Sequence, residues 1–246
     1  MIITMANNGS FETAKKYGLD AIKFHDQRAA TWSAAYQRSN HFRRRERQWK
    51  SIIDGIVEPD MAVLDIGCGS GDLSILAASR GATLTCADGS SEMLAAARNN
   101  LTGNGFDARM VEADVRDLPF KVGEFQFVIA SSLLEYVTPL DCALNEIHRI
   151  LRPDGLLACS VPNPRSFYRW GEGLTFFLAG RPQYRRVVNP LIYKHDFRSL
   201  LAASGFDVLV SQPSGTPPLL DGSTIGNFVE RNTRLATMML YLAKAR

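Results

Sequence analysis

The chain has 246 residues, 46% of them hydrophobic, and 28 Lys+Arg against 25 Asp+Glu give a formal net charge of +3. That length suits one large domain or a domain with a small appendage, and so slight a basic excess does not argue for a nucleic-acid partner. No apolar run reaches the roughly 18 residues of a membrane span, and MIITMANNGSFETAKKYG at the start lacks the apolar stretch of a secretory signal, so the expectation is a soluble cytoplasmic protein.

Taken in chain order, the first twenty or so residues are polar, and Ala21 to Gly55 has a helical pattern. In its second half Phe42, Trp49, Ile53 and Ile56 share a stripe, with Arg43, Arg44, Arg47 and Lys50 mostly off it. The arginine run reads either as a basic binding face or as a solvated helix surface. Residues 1–56 are therefore expected to form an N-terminal helical arm or cap, ahead of a main domain over 57–246.

Short apolar runs then alternate with helical patterns. Strands are predicted at Ala62 to Ile66, Thr83 to Ala87, Ala108 to Glu112, Phe125 to Ala130 and Leu156 to Val161. Helices are predicted at Asp72 to Arg80, Ser91 to Asn100 and Pro139 to Leu151. This alternation calls for an α/β fold, a doubly wound parallel sheet with right-handed crossovers. It breaks at Pro162 to Lys194, which is rich in aromatics and arginines. HDFRSLLAASGF then reads as a helix stopped by Gly205, Asp207 to Val210 as a strand, PSGTPP as a loop and Thr224 to Arg234 as a short helix. TMMLYLA (237–243) reads as a final strand, with helix as the competing reading. Cys68, Cys86, Cys142 and Cys159 include no C-x-x-C pair and have no histidine at zinc-site spacing, so no metal is expected.

The most informative stretch is VLDIGCGSG, residues 63–71. A strand runs into a glycine loop and then into a helix, which is the first crossover of such a sheet, where ligands lie beyond the carboxyl ends of the strands. The spacing is G-x-G-x-G. In the dinucleotide fingerprint a third glycine stands three after the second, and the helix start holds a pyrophosphate. Here that position is Asp72, whose carboxylate suits a helix start as a cap and repels a pyrophosphate. The loop therefore fits a ligand without phosphate that lies close on bare backbone, and S-adenosylmethionine, a nucleoside joined to a sulfonium, is such a ligand. Asp88 in CADGS stands at the end of the second strand, where an acid accepts from ribose hydroxyls. Asp114 in EADVRDLPF stands at the third strand's end, where it either accepts from an adenine amino group or caps a turn.

With VLDIGCGSG, CADGS, EADVRDLPF, FQFVIASSLLEYV and EIHRILRPDGLLACSVPN, the chain resembles class I S-adenosylmethionine-dependent methyltransferases, strongly from Ala62 to Val161 and more faintly through GFDVLV and the last strand. The resemblance implies a Rossmann-like seven-stranded sheet of order 3-2-1-4-5-7-6 with the last strand antiparallel. It also implies that Asp65, Gly67, Cys68 and Gly69 lie along the methionyl part of the cofactor and that Asp88 takes the ribose. Gly89, Ser90 and Met93 then flank the adenosine, Asp114 and Val115 read the adenine edge, and Ser131 lies beside the cofactor.

Catalytic candidates are fewer. Methyl transfer is a direct displacement in which the protein positions two reactants, excludes water and, for a hydroxyl acceptor, supplies a base. Related ubiquinone-pathway O-methyltransferases usually carry histidine where this chain has Tyr136, and a phenol with pKa near 10 is a poor base at neutral pH. Tyr136 orients an acceptor or only packs beneath the pocket. Glu135 is a second candidate, with capping the helix or pointing outward as its other readings. His195 starts a helix and is a candidate too. His148 faces away from the site in this fold, whereas His25, His41, Tyr36 and Arg43 belong to the N-terminal segment that folds over the cofactor in related enzymes. Residues 162–194 are expected to form a lid or acceptor-binding insertion, with LTFFLAG in 167–180 a candidate for peripheral membrane contact. The expected partner is a small-molecule acceptor, methylated on a hydroxyl, with a small amine as the alternative acceptor and a non-catalytic cofactor-binding protein as the alternative of another class. No nucleic-acid partner is expected, because the fourth strand leads into ASSLL and lacks the Asn- or Asp-Pro-Pro-aromatic motif of nucleobase enzymes.

Overall fold

Seven strands build a single sheet in the order β3-β2-β1-β4-β5-β7-β6, in a computed structural model that describes residues 20–26, 40–179, 183–188, 192, 196–217, 229 and 231–246. The elements in chain order are α1 (20–26), α2 (Asn40–Ile56), β1 (Ala62–Ile66), α3 (Asp72–Ala78), β2 (Thr83–Asp88), α4 (Ser91–Gly103), β3 (Arg109–Glu112) and β4 (Phe125–Ser131). There follow a 3-10 turn (Leu134–Tyr136), α5 (Leu140–Ile150), β5 (Leu151–Pro162), α6 (Phe167–Ala179), a second 3-10 turn (Gln183–Arg186), α7 (Phe197–Ala203), β6 (Phe206–Ser214) and β7 (Met238–Ala245).

The central strands pair in parallel, with Asp65 of β1 beside Cys86 of β2 and Ile129 of β4. They are covered on both faces, which is why they read as near-continuous apolar runs. One core contains Trp49, Ile53, Val63, Leu73, Leu84 and Phe127. The other, across the sheet, contains Leu64, Val128, Leu144, Ile147, Leu157 and Phe206. Trp49 and Ile53 of α2 are fully buried, so the stripe seen in the sequence anchors this helix to the sheet. In α5 the buried residues Ala143, Leu144, Ile147 and Ile150 repeat at helical spacing. Ser90 caps α4 by accepting from Met93 N at 3.0 Å, and Asp196 caps α7 through Arg198 N.

One difference from the sequence reading has a plain cause, and one expectation with a competing alternative is met. β6 runs on to Ser214, because Ser211 to Ser214 find partners along β7, which takes in the start of the predicted PSGTPP loop. TMMLYLA is a strand: β7 lies antiparallel between β5 and β6, and a short apolar run takes the structure its neighbours can hydrogen-bond. Most of the helix predicted at 224–234 lies outside the described residues. Among the described residues no helix is long and apolar enough to cross a membrane.

Candidate active site

The carboxyl ends of β1, β2 and β4 open on a cavity of about 900 Å³. Its floor is the glycine loop. Gly67 has a φ of +67°, and a Cβ there would stand 2.9 Å from Leu133 Cδ1; only glycine lets the backbone turn this tightly beneath the rim. The loop is pinned from the next strand. Asp88 Oδ2 accepts from Gly69 N and Oδ1 from Ser90 N, each at 3.0 Å. Each oxygen keeps further lone-pair capacity toward the cavity.

Asp65 is buried at the end of β1 and accepts from Ser74 Oγ at 2.5 Å. Burial, and then the nearby Asp88 and Asp72, push its carboxyl up to about 7 against the lowering by Ser74. Asp72 does not cap α3: the cap position is Gly71, with no side-chain cap bond, and Asp72 sits in the first turn accepting from Ser70 Oγ. Burial also raises the Asp72 and Asp88 carboxyls. An acid-lined loop of this kind disfavours a pyrophosphate and favours a cation.

All the cofactor residues named from the sequence line this one cavity: Asp65, Gly67, Cys68, Gly69, Asp88, Gly89, Ser90, Met93, Asp114, Val115 and Ser131. Asp114 also holds a local partner. Its carboxylate is gripped by the Arg116 guanidinium, with Nε at 2.9 Å from Oδ1, and accepts from Arg116 N, so its pKa is lowered despite partial burial. The turn-capping reading of Asp114 thus holds alongside its place on the cavity wall. Helix α1 closes the cavity beside the end of β2: Ser90 Oγ donates to Asp26, and Ile22 Cδ1 would stand 3.0 Å from a Cβ at Gly89.

Tyr136 lines the cavity with its ring edge-on to His25, centroids 5.1 Å apart. His148 lies elsewhere, edge-on to Phe206 at 5.2 Å. His195, Tyr36 and the side chains of His41 and Arg43 lie outside the described residues.

Two cavity residues were missed or undervalued in the sequence. Arg45 reaches from α2 to the ends of β4 and β5, donating to Ser131 Oγ at 2.5 Å and Ser160 Oγ at 3.4 Å. The signal was present: Arg45 stands four residues before Trp49, on the same helix face as the buried stripe. Glu135 neither caps a helix nor points outward. It is 4% exposed in the 3-10 turn after β4, and its Oε2 has no hydrogen-bond partner among the described residues. Burial pushes its carboxyl up to about 7, although its own backbone N–H, Arg45, Arg169 and the Ser132 hydroxyl pull it down. Arg169 of α6 completes this end of the cavity, paired with Glu172 at 2.9 Å and donating to Thr237 O at 3.0 Å.

Residues 63–155 match the family described as "Methyltransferase domain". A malonyl-[acyl-carrier protein] O-methyltransferase of Methylovorus sp. is 31% identical over 211 residues, 80% of this chain and 68% of that protein. The chain belongs to the class I S-adenosylmethionine-dependent methyltransferases. The enzyme of the same name from Geobacter sulfurreducens is 33% identical over 153 residues, which is 61% of this chain and 57% of the relative's length. A methyltransferase of Thermotoga maritima has the same fold, with a TM-score of 0.65 at 16% identity over 90% of this chain and 98% of that one. S-adenosylmethionine is this family's cofactor. The lining suits it on three observations: the tight backbone turn at Gly67, where a Cβ would strike the Leu133 side chain, the carboxylates of Asp65, Asp72 and Asp88 along the wall, which suit a cation, and the lone-pair capacity Asp88 keeps beyond its bonds to Gly69 and Ser90.

Proposed function

We propose that this methyltransferase transfers the methyl group to a hydroxyl oxygen of a small molecule, with Glu135 as the general base. The observation that carries this reading is the buried Glu135 carboxyl on the cavity wall, its Oε2 without a hydrogen-bond partner among the described residues. A hydroxyl acceptor loses its proton as it attacks, and a carboxyl poised near 7 is matched to that task at neutral pH. The O-methyltransferase names of the Methylovorus and Geobacter relatives support oxygen as the acceptor atom.

When bound, S-adenosylmethionine supplies a methyl carbon already activated by its sulfonium. Gly67, Cys68 and Gly69 give the methionyl part a flat backbone to lie on, and Arg45, on the N-terminal side, meets its carboxylate. Asp88 holds the ribose diol, Asp114 and Val115 border the adenine, and Gly89, Ser90 and Met93 flank it. Ser131 orients Arg45 beside the reacting end. Tyr136 and His25 form a wall that excludes water and steers the acceptor, and His195, just after the insertion, stays a catalytic candidate. In the division of the chain, residues 1–56 act as a cap whose α1 closes the nucleoside end. Residues 57–246 form the catalytic domain, and 162–194 form the acceptor-binding insertion. The enzyme is placed in the cytoplasm, with no nucleic acid as substrate.

Titration with S-adenosylmethionine and NAD, followed by a screen of hydroxylated and amine metabolites for uptake of a labelled methyl group, tests this. The expected result is cofactor binding without NAD binding, and label on oxygen. Label found only on nitrogen would overturn the acceptor assignment, and tight NAD binding would overturn the cofactor assignment.

A further inference from the structure

We propose that the outward face of α6 is a docking surface for an anionic lipid bilayer. The helix presents its apolar side chains to water. Phe167, Trp170, Leu174, Phe177 and Leu178 are all exposed, Trp170 at 75% and Phe177 at 84%. At 3.6 residues per turn they fall on one arc about 100° wide. The opposite face sends Tyr168, Arg169 and Glu172 into the cavity wall. Glu172 is the only acid of α6, and it is held by Arg169 on that inner face. Large aromatics this exposed on one stripe mark a surface that meets something other than water.

The margins of the stripe say what that is. Arg165 precedes the helix and is exposed. Exposed Arg234 abuts the helix start, its carbonyl accepting from Phe167 N at 2.9 Å. Arg185 donates to the Arg169 carbonyl at 3.4 Å from the neighbouring 3-10 turn, and Arg186 beside it is exposed. Residues 183–188 and 231–237 contain no Asp or Glu. Among the described residues the rim is therefore of one sign. Protein interfaces surround an apolar centre with a mixed polar rim, whereas Trp, Phe and Leu on one face with arginines along its edges is the composition of a helix lying in a lipid interface. The rings enter the boundary of the acyl chains, and the guanidiniums meet headgroup phosphates. One helix diameter, roughly 10 Å, then separates the lipid from the acceptor end of the cavity. An apolar acceptor dissolved in the bilayer is within easy reach of such a site.

The test is co-sedimentation of the full chain with phosphatidylcholine vesicles, with and without phosphatidylglycerol. Binding to the anionic vesicles is expected, weakening with added salt. A Trp170→Ser/Phe177→Ser variant should partition at least roughly tenfold more weakly, and Arg165→Glu/Arg186→Glu should lose the preference for the anionic lipid. In both variants the melting temperature and the S-adenosylmethionine titration should match the parent, which separates this result from any failure of the methyl-transfer reading. No sedimentation with anionic vesicles overturns the proposal, as does equal sedimentation of the Trp170→Ser/Phe177→Ser variant. Light scattering that finds a dimer, made monomeric by that variant, with no vesicle binding, would give the face to a second copy of the chain instead.

Discussion

Asp88 and Gly69 are joined by a hydrogen bond of 3.0 Å from the glycine N–H to the carboxylate. The acid that ends β2 thereby fixes the loop that ends β1. One side chain both shapes the loop and lines the cavity above it, so whatever engages this carboxylate is coupled to the loop geometry.

Asp88→Ala should therefore weaken S-adenosylmethionine binding by roughly 1.5–3 kcal/mol, the scale of lost charge-assisted hydrogen bonds. Asp88→Asn should lose less, since its amide oxygen can still accept from Gly69. Calorimetric titration measures both. Equal affinity of Asp88→Ala and the parent would remove Asp88 from the site.

Glu135→Gln should lower kcat by about 10²–10⁴-fold, the usual contribution of a general base, with cofactor affinity little changed. In the parent the rate should rise with pH through about 7, where the raised Glu135 carboxyl ionises; the variant should lose that limb. A variant that keeps the same pH profile would reduce Glu135 to a structural acid.

Stability should depend on pH through the same group and Asp65. Both carboxyls are raised in the folded state, from 4.5 for Glu135 and 3.8 for Asp65 to about 7. Between those ordinary values and about 7 the folded chain keeps protons the unfolded chain has released. Their contribution is thus complete below pH 3.8 and is lost as pH rises toward about 7, on the order of a few kcal/mol. Denaturant midpoints across this window should fall with pH in the parent and fall less steeply in Glu135→Gln.

Trp49→Ala should cost about 3–5 kcal/mol of unfolding free energy, as expected for a fully buried aromatic. It should also displace Arg45, one turn earlier on the same face, and so weaken cofactor binding. A change well under 1 kcal/mol in a denaturant titration would mean that α2 is a detachable arm.

Much of this site was readable along the chain because its central parts are local. VLDIGCGSG announces a strand, a turn that only glycine allows and a helix start. Asp88 and Asp114 follow at the ends of the next two strands, at spacings the crossovers impose. Those residues meet in one cavity because parallel strands put all their carboxyl ends on one edge. TMMLYLA was ambiguous for the opposite reason, since a short apolar run carries no period long enough to decide, and β5 and β6 decide it by pairing on both sides.

The order of apolar runs, glycines and strand-end acids by itself determined the doubly wound sheet, the edge that binds a ligand and the kind of ligand it suits. Only the tertiary structure decided that Arg45 turns inward from a run of arginines, that Glu135 is buried beside it, and that Phe167, Trp170 and Phe177 of α6 turn outward. Those choices depend on how a helix or turn is rotated against the sheet. That rotation is set by packing among residues far apart in the chain, which no local pattern records.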